Sequence, residues 1–163
     1  MTNDQQVIRL LCCEEGLMKL HDIQEMWTED CKIDQTNLGR SAARVPELHA
    51  KYLNMLSSVR LQYRKAEADY LRLRKLKFRY YRGELSKEEL TELGWDQYLN
   101  NRPLKNEMED TMNTDDDMIQ IMDKMEYIKT VLYQLEQIIK SINSRTWDIK
   151  SSIEWYKFTN GGL

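Results

Sequence analysis

Glycine and proline are scarce in this chain, six and two among 163 residues, so few positions interrupt a helix. Long apolar runs are missing altogether. Without a stretch of about eighteen apolar residues the sequence offers no membrane-spanning helix, and the VIRLLCC segment near its start is too short and too poorly flanked for a signal peptide. The expectation is a soluble, intracellular protein with no membrane partner. Cysteine occurs three times, an odd number, and the adjacent Cys12 and Cys13 with the distant Cys31 lack the spacing of a zinc knuckle or a redox pair. They read as ordinary reduced thiols. His21 and His49 stand without a neighbouring ligand set. A Gly-rich phosphate loop, a nucleophile elbow and a paired-carboxylate pocket are missing as well, so the chain reads as a non-enzyme with no cofactor and no metal. Asp115, Asp116 and Asp117 look like a metal trio on paper, but consecutive side chains on a helix diverge, and helix-capping electrostatics account for them.

Charge is abundant and unevenly placed. Residues 1–59 sum to −3, residues 60–82 to +7, residues 83–126 to −9 and residues 127–163 to +2. The block from Arg60 to Arg82 holds nine Lys or Arg against only Glu67 and Asp69. Basic side chains crowded this closely repel one another, and a polyanion that neutralises them is the usual reason for their presence. With a net charge of −3 the protein is zoned rather than generally basic, so contact with nucleic acid falls to this one zone. The acidic zone that follows would repel a phosphate backbone and mark the edge of its track.

The fold class expected is all-α: an elongated helical protein with two long heptad-patterned helices, a short N-terminal helix and a short connecting helix. The first seam reads Ala42, Val45, His49, Tyr52, Leu56, Val59, Tyr63, Ala66, Tyr70, Leu73, Lys77, Tyr80, interrupted only by His49 and Lys77. That period predicts a helix of about 35 residues, roughly 50 Å long, packed along a partner helix. Pro46 suits its first turn and Gly83 its end. Ser86 followed by Glu89 is a capping box that predicts a short helix from Lys87 to Leu93, ended by Gly94. Residues 95–113 read as loop. The second long helix is placed from Thr114 as N-cap, with the seam Ile121, Met125, Ile128, Leu132, Leu135, Ile139, Ile142, Thr146, Ile149, Ile153, Tyr156. Met118, Met122, Val131, Ile138 and Trp147 widen that stripe, which predicts subunit contacts. Oligomerisation is assigned to Ile128, Val131, Leu132, Leu135, Ile138, Ile139, Ile142, Ile149 and Ile153. An N-terminal helix is expected from about Gly16 to Asp30. Three regions follow: residues 1–17 as a dispensable extension with Met18 as an internal start, 18–113 as the basic-helix region with its loop, and 114–163 as the oligomerisation helix.

Within the basic block, Lys65, Arg72, Lys75, Arg79 and Arg82 fall at helical steps that share one outward face, with Arg74 and Lys77 adding charge. Phe78, Tyr80 and Tyr81 interleave with them. Cations neutralise phosphates while rings stack on unpaired bases, the combination that sequence-tolerant single-strand binding needs. Three other readings stand beside it: a merely solvated charged face, a coiled-coil adaptor whose basic stripe docks an acidic protein, and a metal-dependent nuclease using Asp115 to Asp117.

Three stretches carry a family resemblance. KLHDIQEMWTEDCKIDQTNL from Lys19 to Leu38, KLKFRYYRG from Lys75 to Gly83, and SRTWDIKSSIEWYKF from Ser144 to Phe158 resemble, in order and spacing, the UvsY family of recombination mediators of T-even-like bacteriophages. Lys75 and Lys77 match the basic pair of the family's strand-binding motif, and Tyr80, Tyr81 and Gly83 match its tail. Phe78, Arg79 and the capped helix after Gly83 depart from it. The resemblance implies a ring-shaped homo-oligomer, hexamer or heptamer, in the host-cell cytoplasm. It also implies single-stranded DNA, the phage single-strand-binding protein and a UvsX-type recombinase as partners, in recombination, repair and recombination-dependent replication.

Overall fold

A computed structural model describes residues 18–161, and among these every regular element is a helix. Their order is α1 (Leu20–Asp30), α2 (Leu38–Ala43), α3 (Val45–Tyr81), α4 (Lys87–Leu93), α5 (Met108–Asn113) and α6 (Asp116–Thr159). No helix in this range is long and apolar enough to cross a membrane. The expectations for residues 1–17, including Cys12, Cys13 and an internal start at Met18, lie outside the described residues.

The helix ends follow local chemistry. Ser86 accepts from the Glu89 backbone while the Glu89 carboxylate accepts from the Ser86 backbone, so the capping box forms as read from the sequence. Gly83 and Gly94 close α3 and α4 with φ of 66° and 70°, a backbone region costly for any side chain with a Cβ. Two expectations are corrected. Residues 95–113 contain α5, a six-residue amphipathic helix that buries Met108 and Met112. The cap of α6 is Asp115, whose Oδ1 accepts from the backbone of Asp117 and Met118; Thr114 instead closes α5 and donates to the Asp110 carbonyl.

The two long helices each contribute to both of two compact units. One unit comprises Met18–Leu61 and the chain from Lys129 onward. Its core holds Ile23, Leu48, Tyr52, Leu56 and Val59 together with Val131, Leu135, Ile138, Ile142 and Ile149. Between Ile142 and Ile149 the inward position is Arg145, only 4% exposed, not Thr146. Its guanidinium donates to the carbonyls of Asp30 and Lys32 at 2.8 and 2.6 Å, satisfying acceptors left over where α1 ends. The Asp30 carboxylate in turn accepts from Lys51 at 2.6 Å and from the Tyr52 hydroxyl at 3.1 Å, with Arg44 beside it.

The other unit contains residues 62–128 among those described. One cluster packs Leu73 of α3 with Met118 and Ile121 of α6 under Tyr70 and Trp95; another packs Tyr81 with Met108 and Met112 of α5, flanked by Tyr80 and Tyr98. Between the aromatic side chains sits a buried cation. Lys77 is 6% exposed, and its ammonium lies 2.8 Å from Asp115, 2.6 Å from Asp117 and 4.3 Å from the centroid of Trp95. The Tyr81 hydroxyl donates to Asp115 at 2.7 Å. Burial pushes the Asp115 carboxyl up, but the hydrogen bonds from Lys77 and Tyr81 and the lysine's charge outweigh it and hold the group below the usual carboxylate range. Burial and the same carboxylate raise the Tyr81 phenol.

A carboxyl held below its free value stabilises the folded chain above that value and forfeits the contribution as pH falls through its lowered folded pKa. Unfolding free energy should therefore decline as pH drops below 3.8, the ordinary value for Asp115. Asp115→Asn, which leaves Lys77 with a weaker partner, should be less stable at pH 7 by about 2 kcal/mol and show a flatter acid limb in urea titrations. Equal stability of the variant at pH 7 would show that the pair does not anchor this unit.

Candidate nucleic-acid interface

The basic block turns its side chains in three directions. Lys77, Tyr80 and Tyr81 point into the unit that contains them, Lys77 and Tyr80 at the seam positions of the heptad and not on the outward face that carries Lys75 and Arg82. Tyr81 is 9% exposed, and Tyr80 packs edge-on against Tyr81, Trp95 and Tyr98 at centroid distances of 5.2 to 5.6 Å. In this arrangement the rings surround a lysine rather than offer their faces to a base. Arg79 is partly exposed, and its guanidinium grips Glu89 of α4 at 2.9 and 3.1 Å. Hydrogen bonds from the Ser86 backbone and from Arg79 hold Glu89 below the usual carboxylate range. Lys65 and Arg72 are exposed, Arg72 with its guanidinium 2.9 Å from Asp69.

The remaining candidates, Arg74, Lys75, Phe78 and Arg82, share one exposed face with Leu71. Their spacing, 71, 74, 75, 78 and 82, is that of adjacent turns on one side of a helix. This face forms one wall of a cleft of about 760 Å³. Pro103, Lys105, Met108, Glu109 and Met112 form the other wall. Four cations therefore oppose one carboxylate around an apolar floor. Arg82 lies 5.4 Å from the Phe78 ring centroid and 2.8 Å from Glu84, and Arg74 reaches Glu109 only at 3.9 Å. Lys75 and Lys105 form no salt bridge among the described residues. Beyond the cleft, the Arg102 guanidinium lies beside Gly83, where a Cβ would meet it at an ordinary contact of 3.4 Å, so the glycine is needed there for its positive φ and not for clearance.

The second wall was not anticipated, because residues 95–113 carry no sustained hydrophobic period. The usable signals were Pro103 followed by Lys105 and the Met108 to Met112 spacing of one helical turn. The arrangement as a whole suits a flexible polyanion that also has flat apolar parts: ammonium and guanidinium groups at the rim and a partly exposed ring with methionines inside.

The oligomerisation residues divide similarly. Ile128, Val131, Leu135, Ile138, Ile142 and Ile149 are at most 2% exposed within the single chain, whose own core takes them up. Leu132 and Ile139 are half-buried, and Ile153 is exposed. Toward the end of α6, Trp147, Trp155, Tyr156 and Phe158 are among the large apolar side chains left in the open.

Comparison with known proteins places this geometry among relatives. The chain is 28% identical over 144 residues to the recombination protein uvsY of Enterobacteria phage T4, covering 88% of this chain and 99% of that one. The crystal structure of the bacteriophage T4 recombination mediator protein UvsY in one lattice superposes with a TM-score of 0.76 at 27% identity, over 88% of this chain and 99% of that chain. A second lattice of the same protein gives 0.75 at 27% identity, over 85% and 98%. The family described as "Recombination, repair and ssDNA binding protein UvsY" matches residues 26–162. With its all-helical fold and a match over most of its length, the chain belongs to the UvsY family of recombination, repair and single-stranded-DNA-binding proteins.

Proposed function

We propose that this protein is a phage recombination mediator that acts without catalysis in the host-cell cytoplasm. It binds single-stranded DNA and promotes loading of a UvsX-type recombinase in place of the single-strand-binding protein. The observation that carries the reading is the cleft beside α3, where Arg74, Lys75, Arg82 and Lys105 gather around Phe78 with a single opposing carboxylate, Glu109. Lysines without a carboxylate partner are poised to exchange counterions for phosphates, so binding by this face is expected to weaken steeply with salt. The acidic zone from Glu84 to Glu126 supplies contrast, limiting the strand to the basic face and leaving other surfaces for protein partners. Exchange of one bound protein for another on a strand needs no bond to be made or broken, and the mediator's contribution is to lower the free energy of the intermediate in which both are present.

The same reading includes a ring-shaped homo-oligomer. Its support on this chain is the exposed aromatic group at the end of α6, where Trp147, Trp155 and Phe158 are 70%, 65% and 79% exposed. Large apolar side chains gathered in the open are usual at subunit contacts. Repeating the basic cleft around a ring multiplies weak contacts through effective concentration.

Lys75→Ala should weaken binding to an oligonucleotide and flatten the plot of log affinity against log salt by about 0.7 for each protomer engaged, the contribution of one phosphate contact on a single strand. Anisotropy across a salt series reads this directly. An unchanged slope and affinity in the folded variant would exclude this face as the binding surface and favour docking of an acidic protein. For assembly, Trp155→Glu combined with Phe158→Glu should yield smaller species by light scattering without loss of helix. Retention of the parent mass would place the subunit contact elsewhere.

A further inference from the structure

We propose that the cleft is a base slot: one unpaired base enters it and stacks on Phe78 while Lys75 and Lys105, on opposite walls, hold the flanking phosphates. The inference deepens the DNA-binding reading and rests on it.

Three observations carry it. The cleft, about 760 Å³, lies within the range that accommodates a nucleotide-sized ligand. Its interior is apolar, with Met108, Met112 and Pro103 facing the side of α3 that bears Phe78, and Phe78 remains 39% exposed. A protein that needed only to neutralise phosphates would have no use for an open apolar groove between its cations. Thirdly, Lys105 is held on an ordered turn, since the backbone of Leu104 donates to the Glu107 carboxylate at 3.2 Å and the Glu107 backbone donates to the Leu104 carbonyl at 2.9 Å. Lys75, on the helix opposite, likewise forms no salt bridge among the described residues. Charge complementarity therefore selects a polyanion, and the apolar interior selects one with flat faces to bury. A single strand supplies both, whereas bases in a duplex are already stacked and cannot enter without unpairing. The slot thus gives this family member a physical basis for preferring single strands over duplexes and over other polyanions.

The test compares the full-length protein with an oligothymidylate and with an abasic oligodeoxynucleotide of the same length and charge, by anisotropy at several salt concentrations. Oligothymidylate should bind at least about tenfold tighter. Phe78→Leu, a change at a partly exposed site that keeps an apolar side chain, should bring that ratio close to one and leave the salt slope as it was. Lys105→Ala should do the reverse, flattening the slope by about 0.7 while the ratio persists. Equal affinity of the parent protein for the two strands would overturn the slot while leaving the DNA-binding reading intact, as would a ratio undiminished in Phe78→Leu. Failure of the parent protein to bind either strand would overturn the DNA-binding reading, and the slot with it.

Discussion

The buried ion pair between Lys77 and the carboxylates of Asp115 and Asp117 is the contact on which the 62–128 unit depends. An ammonium removed from water is tolerated only when opposite charge and hydrogen bonds replace its hydration, and here two carboxylates and the face of Trp95 do so. Removing one partner of such a pair generally costs about 3–5 kcal/mol, because the other charge is left behind. The pair also fixes register. Asp115 is at once the acceptor for Lys77, the acceptor for Tyr81 and the cap of α6, so the start of α6 can meet the end of α3 at only one offset. With Lys77, Tyr80 and Tyr81 turned inward by that contact, helical geometry turns Arg74, Lys75, Phe78 and Arg82 the other way. The candidate interface is therefore a consequence of the buried pair.

The second unit repeats the device with different residues. There, Asp30 accepts from Lys51 and Tyr52, as Asp115 accepts from Lys77 and Tyr81. Burial raises the Asp30 carboxyl, and the Lys51 and Tyr52 hydrogen bonds with the lysine's charge bring it below its ordinary value. In each unit a polar cluster fixes position where an apolar seam alone would permit sliding. Arg145 adds to this in the second unit by tying α6 to the end of α1 through two backbone carbonyls.

Much of the architecture was legible because helices announce themselves locally. The α3 seam, the Ser86 and Glu89 capping box, and the terminating Gly83 and Gly94 all follow from nearest-neighbour geometry. Which face of α3 is buried was harder to read. Lys77 looked like an interruption of the seam that had been left for a phosphate, since its two carboxylate partners lie 38 and 40 positions later in the chain. Arg145 carries no sequence signal for the same reason: an arginine between Ile142 and Ile149 reads as a solvated residue unless the carbonyls it caps are known. Similarly, the isoleucines of α6 formed a stripe too wide for one partner helix, but the protomer itself buries most of them. The wall bearing Lys105 had no periodic signal because its helix is only six residues long.

If the proposed function is right, a single strand lies in the cleft beside α3 and not against the aromatic cluster around Lys77. Photocrosslinking with an oligonucleotide carrying 5-iododeoxyuridine, followed by peptide mapping, distinguishes the two surfaces. Adducts on Phe78 and on the segment containing Lys105 are predicted; adducts confined to Tyr80, Tyr81 and Trp95 would contradict it.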